Sequence, residues 1–190
     1  PEAGALFAAV AAPPAVEHVE DPLYLVLGDA GAVVADVDAQ GLVAHAPHRA
    51  RVQARQAYVY ASAAMAGFGR QWLDAARLGY DFYRSHYRGE DGLFARVADE
   101  HGVVIDPTPH LYEQAFSLLA MGTLHAAGSS LGMTLEAERT MAAMEAWRLP
   151  GGGWRETGEH PFQANAHMHL LEAFLAWEEA GGGPVWAARA

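Results

Sequence analysis

Asn165, His169 and Glu172 stand at i, i+4 and i+7 in the segment Asn165-Ala-His-Met-His-Leu-Leu-Glu-Ala173. On a helix these positions share one face. The neighbours on the other faces are apolar, and three polar groups stacked on such a helix are costly unless paired or used. A histidine that changes charge near neutral pH is a natural proton-transfer group. Two more segments combine polar and apolar residues in a similar way. In Arg51-Val-Gln-Ala-Arg-Gln-Ala-Tyr58, Arg55 lies one turn into an apolar stretch. It reads either as a surface or ion-paired arginine, or as a fork-shaped donor to a sugar hydroxyl or a phosphate. In His110-Leu-Tyr-Glu-Gln-Ala-Phe116, Tyr112 and Glu113 open an otherwise buried-type helix. There a core tyrosine with a satisfied hydroxyl and a site tyrosine are equally compatible with the residues.

Other chemistries find less support. His167 and His169 are two residues apart, so on a helix they diverge by about 200° and cannot share an ion. The remaining histidine spacings match no zinc pattern, and no metal is expected. The glycine clusters match neither the Walker nor the dinucleotide fingerprint, so no cofactor is expected. The chain has no cysteine and no lysine, and its net charge of -11 argues against a nucleic-acid backbone as partner. That charge leaves room for a phosphorylated small molecule held by a local arginine. No stretch is long enough to span a membrane. The apolar start lacks a basic region, so no signal peptide and a cytoplasmic location are expected. The sequence does not begin with Met, and a helix begins after Pro184 close to its last residue. A longer natural chain is therefore expected.

The elements that must position these residues follow a repeat. Gly31, Gly92 and Gly153 are each 61 residues apart, and each opens a short loop-like block followed by long helical stretches. The pattern predicts helices over 15–27, 49–67, 70–87, 110–127, 135–148 and 163–180, with a hairpin or irregular loop over 31–45. Thr134 is expected to cap the fifth of these, and Gly181 to Gly183 to end the sixth. Helices 110–127 and 163–180 are apolar around most of their circumference, whereas 70–87 and 135–148 are one-sided. Alternation of buried and one-sided helices predicts an all-α fold, an α/α toroid with short hairpin-like loops at one mouth. A straight solenoid of helix pairs is the alternative. Residues 1–190 form a single domain of three helix-pair repeats, and the 61-residue period sets Arg55, Tyr112 and Asn165/His169 at matching inner-helix starts.

Taken together, Gln53-Ala-Arg-Gln-Ala-Tyr-Val-Tyr-Ala61, Tyr112-Glu-Gln-Ala-Phe-Ser-Leu-Leu-Ala120 and Asn165-Ala-His-Met-His-Leu-Leu-Glu-Ala173 resemble the N-acylglucosamine 2-epimerase family. The resemblance covers roughly residues 25–180. It implies a six-hairpin α/α barrel of about twice this length, of which this chain is the N-terminal half and the C-terminal half is absent. It implies that Arg55, Tyr112 and Asn165 bind sugar hydroxyls and that His169 contributes to catalysis by helping to bind and open the sugar. It further implies proton transfer next to a carbonyl by two histidines of the second half, without a cofactor. The chain departs from the family's usual Gly-Gly-Phe turn at Gly31-Ala-Val-Val34.

The expected function is therefore a sugar epimerase or aldose–ketose isomerase acting on a mannose-, glucose- or N-acylhexosamine-type sugar. The expected partners are that sugar, with or without a phosphate, and a second half or a second copy to close the ring. An α/α-toroid glycoside hydrolase or lyase would need paired carboxylates, for which the inner-helix starts offer only Glu113 and Glu172. A non-catalytic sugar-binding or interaction module with an incomplete toroid is the other alternative.

Overall fold

The computed structural model describes residues 47–99, 101–129 and 132–190. The expected helix over 15–27 and the first glycine block, with Gly31, lie outside the described residues. A two-residue strand β1 (His48–Arg49) leads into helix α1 (Ala50–Met65), which turns back into α2 (Arg70–Tyr87). Strands β2 (Val97–Ala98) and β3 (Val104–Asp106) follow, and β2 pairs antiparallel with both β1 and β3. Helix α3 (Leu111–Ala126) is followed by α4 (Met133–Met144) and a 3-10 turn, Glu145–Trp147. Helix α5 (Ala164–Glu179) precedes a single turn, α6 (Pro184–Ala187).

Helices α1, α3 and α5 lie side by side as an inner row, with α3 in the middle; α2 and α4 pack outside them. This is half of an α/α toroid. The inner row is close-packed because its contact positions are small. Ala50, Ala54, Ala57 and Ala61 recur at helical spacing on α1 and are fully buried. On α3 every residue from Glu113 to Leu124 is buried, as expected for a helix enclosed on all sides. The indole of Trp177 on α5 packs against Gly122, where an added Cβ would lie 3.1 Å from Trp177 Cδ1. The same indole donates to the Leu118 carbonyl oxygen at 2.9 Å, so it is both packed and hydrogen-bonded. Among the described residues no helix is long and apolar enough to cross a membrane.

Two expectations are corrected. Thr134 does not cap α4. The residue before the helix is Gly132, at φ 66°, and Thr134 already lies inside the first turn. The left-handed backbone favours glycine there, and the α-helical part ends at Met144 rather than at 148. Helix α5 is also less enclosed than its composition predicts. Leu170, Phe174 and Trp177 are buried, but Met168, Leu171 and Leu175 are 56%, 43% and 44% exposed. Helix α3 covers one side of α5, and the row of inner helices ends there. Gly181 ends α5 as expected, with φ 77° and the Gly182 N–H returning to the Trp177 carbonyl at 2.9 Å.

Candidate functional site

The two described glycine blocks, around Gly92 and Gly153, are built the same way. The Arg88–Phe94 and Arg148–Trp154 bridges close the loops opened by Gly89 and Leu149. In both, the arginine guanidinium lies over the aromatic ring, at 5.3 Å and 4.2 Å from its centroid. The fourth residue of the following inner helix then fastens the loop. Gln114 accepts from the Phe94 N–H and donates to the Phe94 carbonyl, both at 2.9 Å. His167 accepts from the Trp154 N–H at Nε2, 3.0 Å, which puts its proton on Nδ1, facing the Gln163 carbonyl at 2.9 Å. Gln53 occupies the same position on α1 and is buried. His167 is thus a loop fastener, turned away from His169 as their two-residue spacing requires.

These loops gather at the N-terminal end of the inner row, and the candidate site lies there in layers. The second residues of α1, α3 and α5 are Arg51, Tyr112 and Asn165; the sixth residues are Arg55, Phe116 and His169. The 61-residue period holds from α1 to α3, but α5 starts only 53 residues after α3. The period therefore matches Tyr112 with Arg51, and Arg55 with Phe116, a correction to the pairing of Arg55 with Tyr112. The segment after Gly153 is shorter than the one after Gly92, which carries the β2–β3 hairpin.

Tyr112 and Phe116 of α3 form the floor, edge to face at 5.1 Å. From the α1 side, the Arg51 guanidinium sits 5.5 Å from the Tyr112 ring centroid and that of Arg55 5.2 Å from Phe116. From the α5 side, the His169 ring meets Tyr112 at 5.3 Å and Phe116 at 4.5 Å. Arg55 and His169 thus converge on the Tyr112–Phe116 pair. Asn165 lines a polar cavity of about 330 Å³ with Arg51, Arg96, His110, Tyr112 and Glu113. That cavity lies at the mouth beside a larger one of about 740 Å³, lined by residues of β1, β2, β3 and the start of α1.

Sequence reasoning missed Arg51, Arg96 and Glu156 as site residues and saw Glu113 only as a carboxylate at an inner-helix start. Glu113 is buried, and its Oε1 is 3.0 Å from Arg51 Nη1. Arg96 pairs with Asp106 at 3.3 Å. The Asp106 carboxyl is held below the usual carboxylate range, first by hydrogen bonds from Thr108 and then by Arg96. Glu156, in the third loop, is also buried. Its carboxylate accepts from the Leu111, Tyr112 and Thr157 N–H groups at 2.9, 3.1 and 2.7 Å. It thereby caps the first turn of α3, where negative charge is favoured. Arg51 was within reach of the sequence, since it stands 61 residues before Tyr112. Glu156 was not, because a loop carboxylate has no periodicity to read. Among the described residues, no group of three or more metal-ligating side chains is placed to hold an ion.

The arrangement offers an aromatic surface, several charge-assisted donors, a buried carboxylate and an imidazole at one open mouth. This is a set suited to a polyhydroxylated ligand with apolar faces. A mannose-6-phosphate isomerase from Rhizobium meliloti (strain 1021) is 32% identical over 160 residues, covering 82% of this chain and 41% of the relative. A D-mannose isomerase from Thermobifida fusca is 36% identical over 108 residues, covering 53% of this chain and 26% of the relative. The structure of the cellobiose 2-epimerase from Bacillus thermoamylovorans B4167 superposes with a TM-score of 0.79 at 17% identity, covering 88% of this chain and 49% of that one. The chain thus spans less than half the length of these relatives. The model of the family described as N-acylglucosamine 2-epimerase (GlcNAc 2-epimerase) matches residues 33–190, and the chain belongs to that family.

Proposed function

We propose that this chain supplies one half of the pocket of a sugar 2-epimerase or aldose–ketose isomerase acting on a mannose- or glucose-type hexose. The observation that carries the reading is the convergence of Arg55 and His169 on the Tyr112–Phe116 pair at the mouth of the inner row. Tyr112 offers its ring for the apolar face of the sugar, with the buried Phe116 packed beside it. Arg55 and Asn165 offer donors to its hydroxyls, and His169 an imidazole for ring opening or proton transfer. No cofactor enters the scheme. The rest of the toroid, in the same polypeptide or in a second copy, would supply the acid and base that move the proton next to the carbonyl. Arg51, Arg96, His110 and Asn165 would meet the far end of the sugar, where a phosphate would lie if the substrate carries one. A cytoplasmic location belongs to the same proposal.

The pocket reading is tested by titrating the protein with mannose and with mannose 6-phosphate. Arg55→Lys keeps the charge but loses the planar fork over Phe116. We expect it to weaken binding by about 10- to 150-fold, as for a charged hydrogen bond worth roughly 1.5–3 kcal/mol. Asn165→Ala should weaken it by a smaller factor. Unchanged affinity in both variants would remove the inner-helix mouth as the sugar site. A tighter fit for mannose 6-phosphate than for mannose, lost in Arg96→Gln, would identify a phosphorylated substrate.

A further inference from the structure

His169 is held on three sides. Its ring packs against Tyr112 and Phe116, and its Nδ1 is 3.0 Å from Glu172 Oε2, three residues further along α5. Among the described residues the structure gives Nε2 no hydrogen-bond partner, and the side chain is 20% exposed. Glu172 is 50% exposed and lines an apolar groove of about 630 Å³ with Leu119, Met168, Leu171 and Leu175. A carboxylate can only accept, so a neutral His169 in this pair carries its proton on Nδ1. The nitrogen left with a lone pair is then Nε2.

We propose that Glu172 is a positioning residue that fixes the tautomer and the ring orientation of His169, so that Nε2 is the nitrogen presented to substrate. A carboxylate on one ring nitrogen decides which form the other takes. Without it, the ring would keep its aromatic packing but lose the bias toward Nδ1–H. Glu172 would also stabilise an imidazolium formed when Nε2 takes a proton. The role of His169 toward sugar rests on the function proposed above; the tautomer does not.

The test is the long-range proton–nitrogen correlation spectrum of the chain with nitrogen-15-labelled histidine, recorded at about pH 8.5, above the ordinary histidine range. His169 is assigned by the signal lost in His169→Gln. The expected pattern for the native chain is Nδ1–H, with Nε2 unprotonated. In Glu172→Leu it should revert to a mixture dominated by Nε2–H. A native His169 in the Nε2–H form, or an unchanged pattern in Glu172→Leu, would overturn the proposal. Because Glu172 is half exposed, Glu172→Leu should remain folded, and the native spectrum decides independently. Adding mannose should move the Nε2 signal and leave Nδ1 in place. A silent Nε2 with the predicted tautomer would count against the sugar-pocket reading alone.

Discussion

Glu156 shows how much one carboxylate can hold together. Its two oxygens take three backbone N–H groups from two segments, and Thr157 Oγ1 adds a bond to the Pro109 carbonyl at 2.8 Å. Glu156→Gln removes the charge and points an amide NH2 at donors. We expect a loss of about 2–3 kcal/mol in urea unfolding, the range for leaving buried donors unsatisfied beside a charged acceptor. A loss below about 0.5 kcal/mol would show that water replaces the carboxylate. Tyr80 and Tyr83 make a contrasting pair. The Tyr83 hydroxyl is 2.7 Å from Ser117 Oγ, whereas the buried Tyr80 hydroxyl has no hydrogen-bond partner among the described residues. Tyr83→Phe should therefore destabilise by about 1 kcal/mol and Tyr80→Phe should be neutral or stabilising. The reverse order in thermal unfolding would contradict the hydrogen-bond assignment.

Helix α2 carries its tyrosines into the interface with α1, α3 and the second glycine loop. Tyr83 stacks on Phe94 at 4.6 Å, and Tyr87 donates to the His48 carbonyl at 3.2 Å. Burial raises the phenols of Tyr80, Tyr83 and Tyr87 well above their ordinary value. In the unfolded chain these groups lose their protons near pH 10, while the native state keeps them. The native state thus binds more protons above that pH, and stability falls as pH rises. The slope reaches about 1.4 kcal/mol per pH unit for each tyrosine, or roughly 4 for the three together. Urea midpoints should be level up to about pH 9.5 and drop steeply beyond it, less so in Tyr87→Phe. A flat profile to pH 11 would contradict the burial. Helix α2 was also the element most legible in the sequence. Its apolar stripe of Trp72, Ala75, Ala76, Gly79, Phe82 and Tyr83 reads opposite Asp74, Arg77, Asp81 and Arg84, which fixes the face, although Trp72 and Phe82 are only partly buried. Helix α4 was read less well, because Thr134 looks like a cap while Gly132 sets the backbone. The site was legible where it repeats at helical spacing, as for Asn165, His169 and Glu172. It was illegible where loops fold back, as for Glu156 and Arg96.

At the scale of the molecule, the sequence pattern predicts a toroid but not which inner helix stands at an edge. Helix α5 has the composition of a buried helix and the exposure of a boundary one. Val52, Val59 and Met65 of α1, with Met168, Leu171 and Leu175 of α5, leave an apolar surface uncovered on the inner row. Surfaces of this kind favour association. The chain alone should therefore self-associate in sedimentation with rising concentration, and Leu171→Glu with Leu175→Glu should shift it toward the 20.3 kDa monomer. A native chain that stays monomeric at all concentrations would show that this face needs no partner. The central claim is that the inner-helix mouth belongs to an enzyme that moves a proton next to a sugar carbonyl. The most direct measurement is proton NMR in deuterium oxide of the protein with the rest of its toroid, given mannose, glucose, N-acetylmannosamine, cellobiose and mannose 6-phosphate in turn. Deuterium should enter at C2 of one of these sugars or of its product, and His169→Ala should slow the exchange. No exchange with any of the five would contradict the claim.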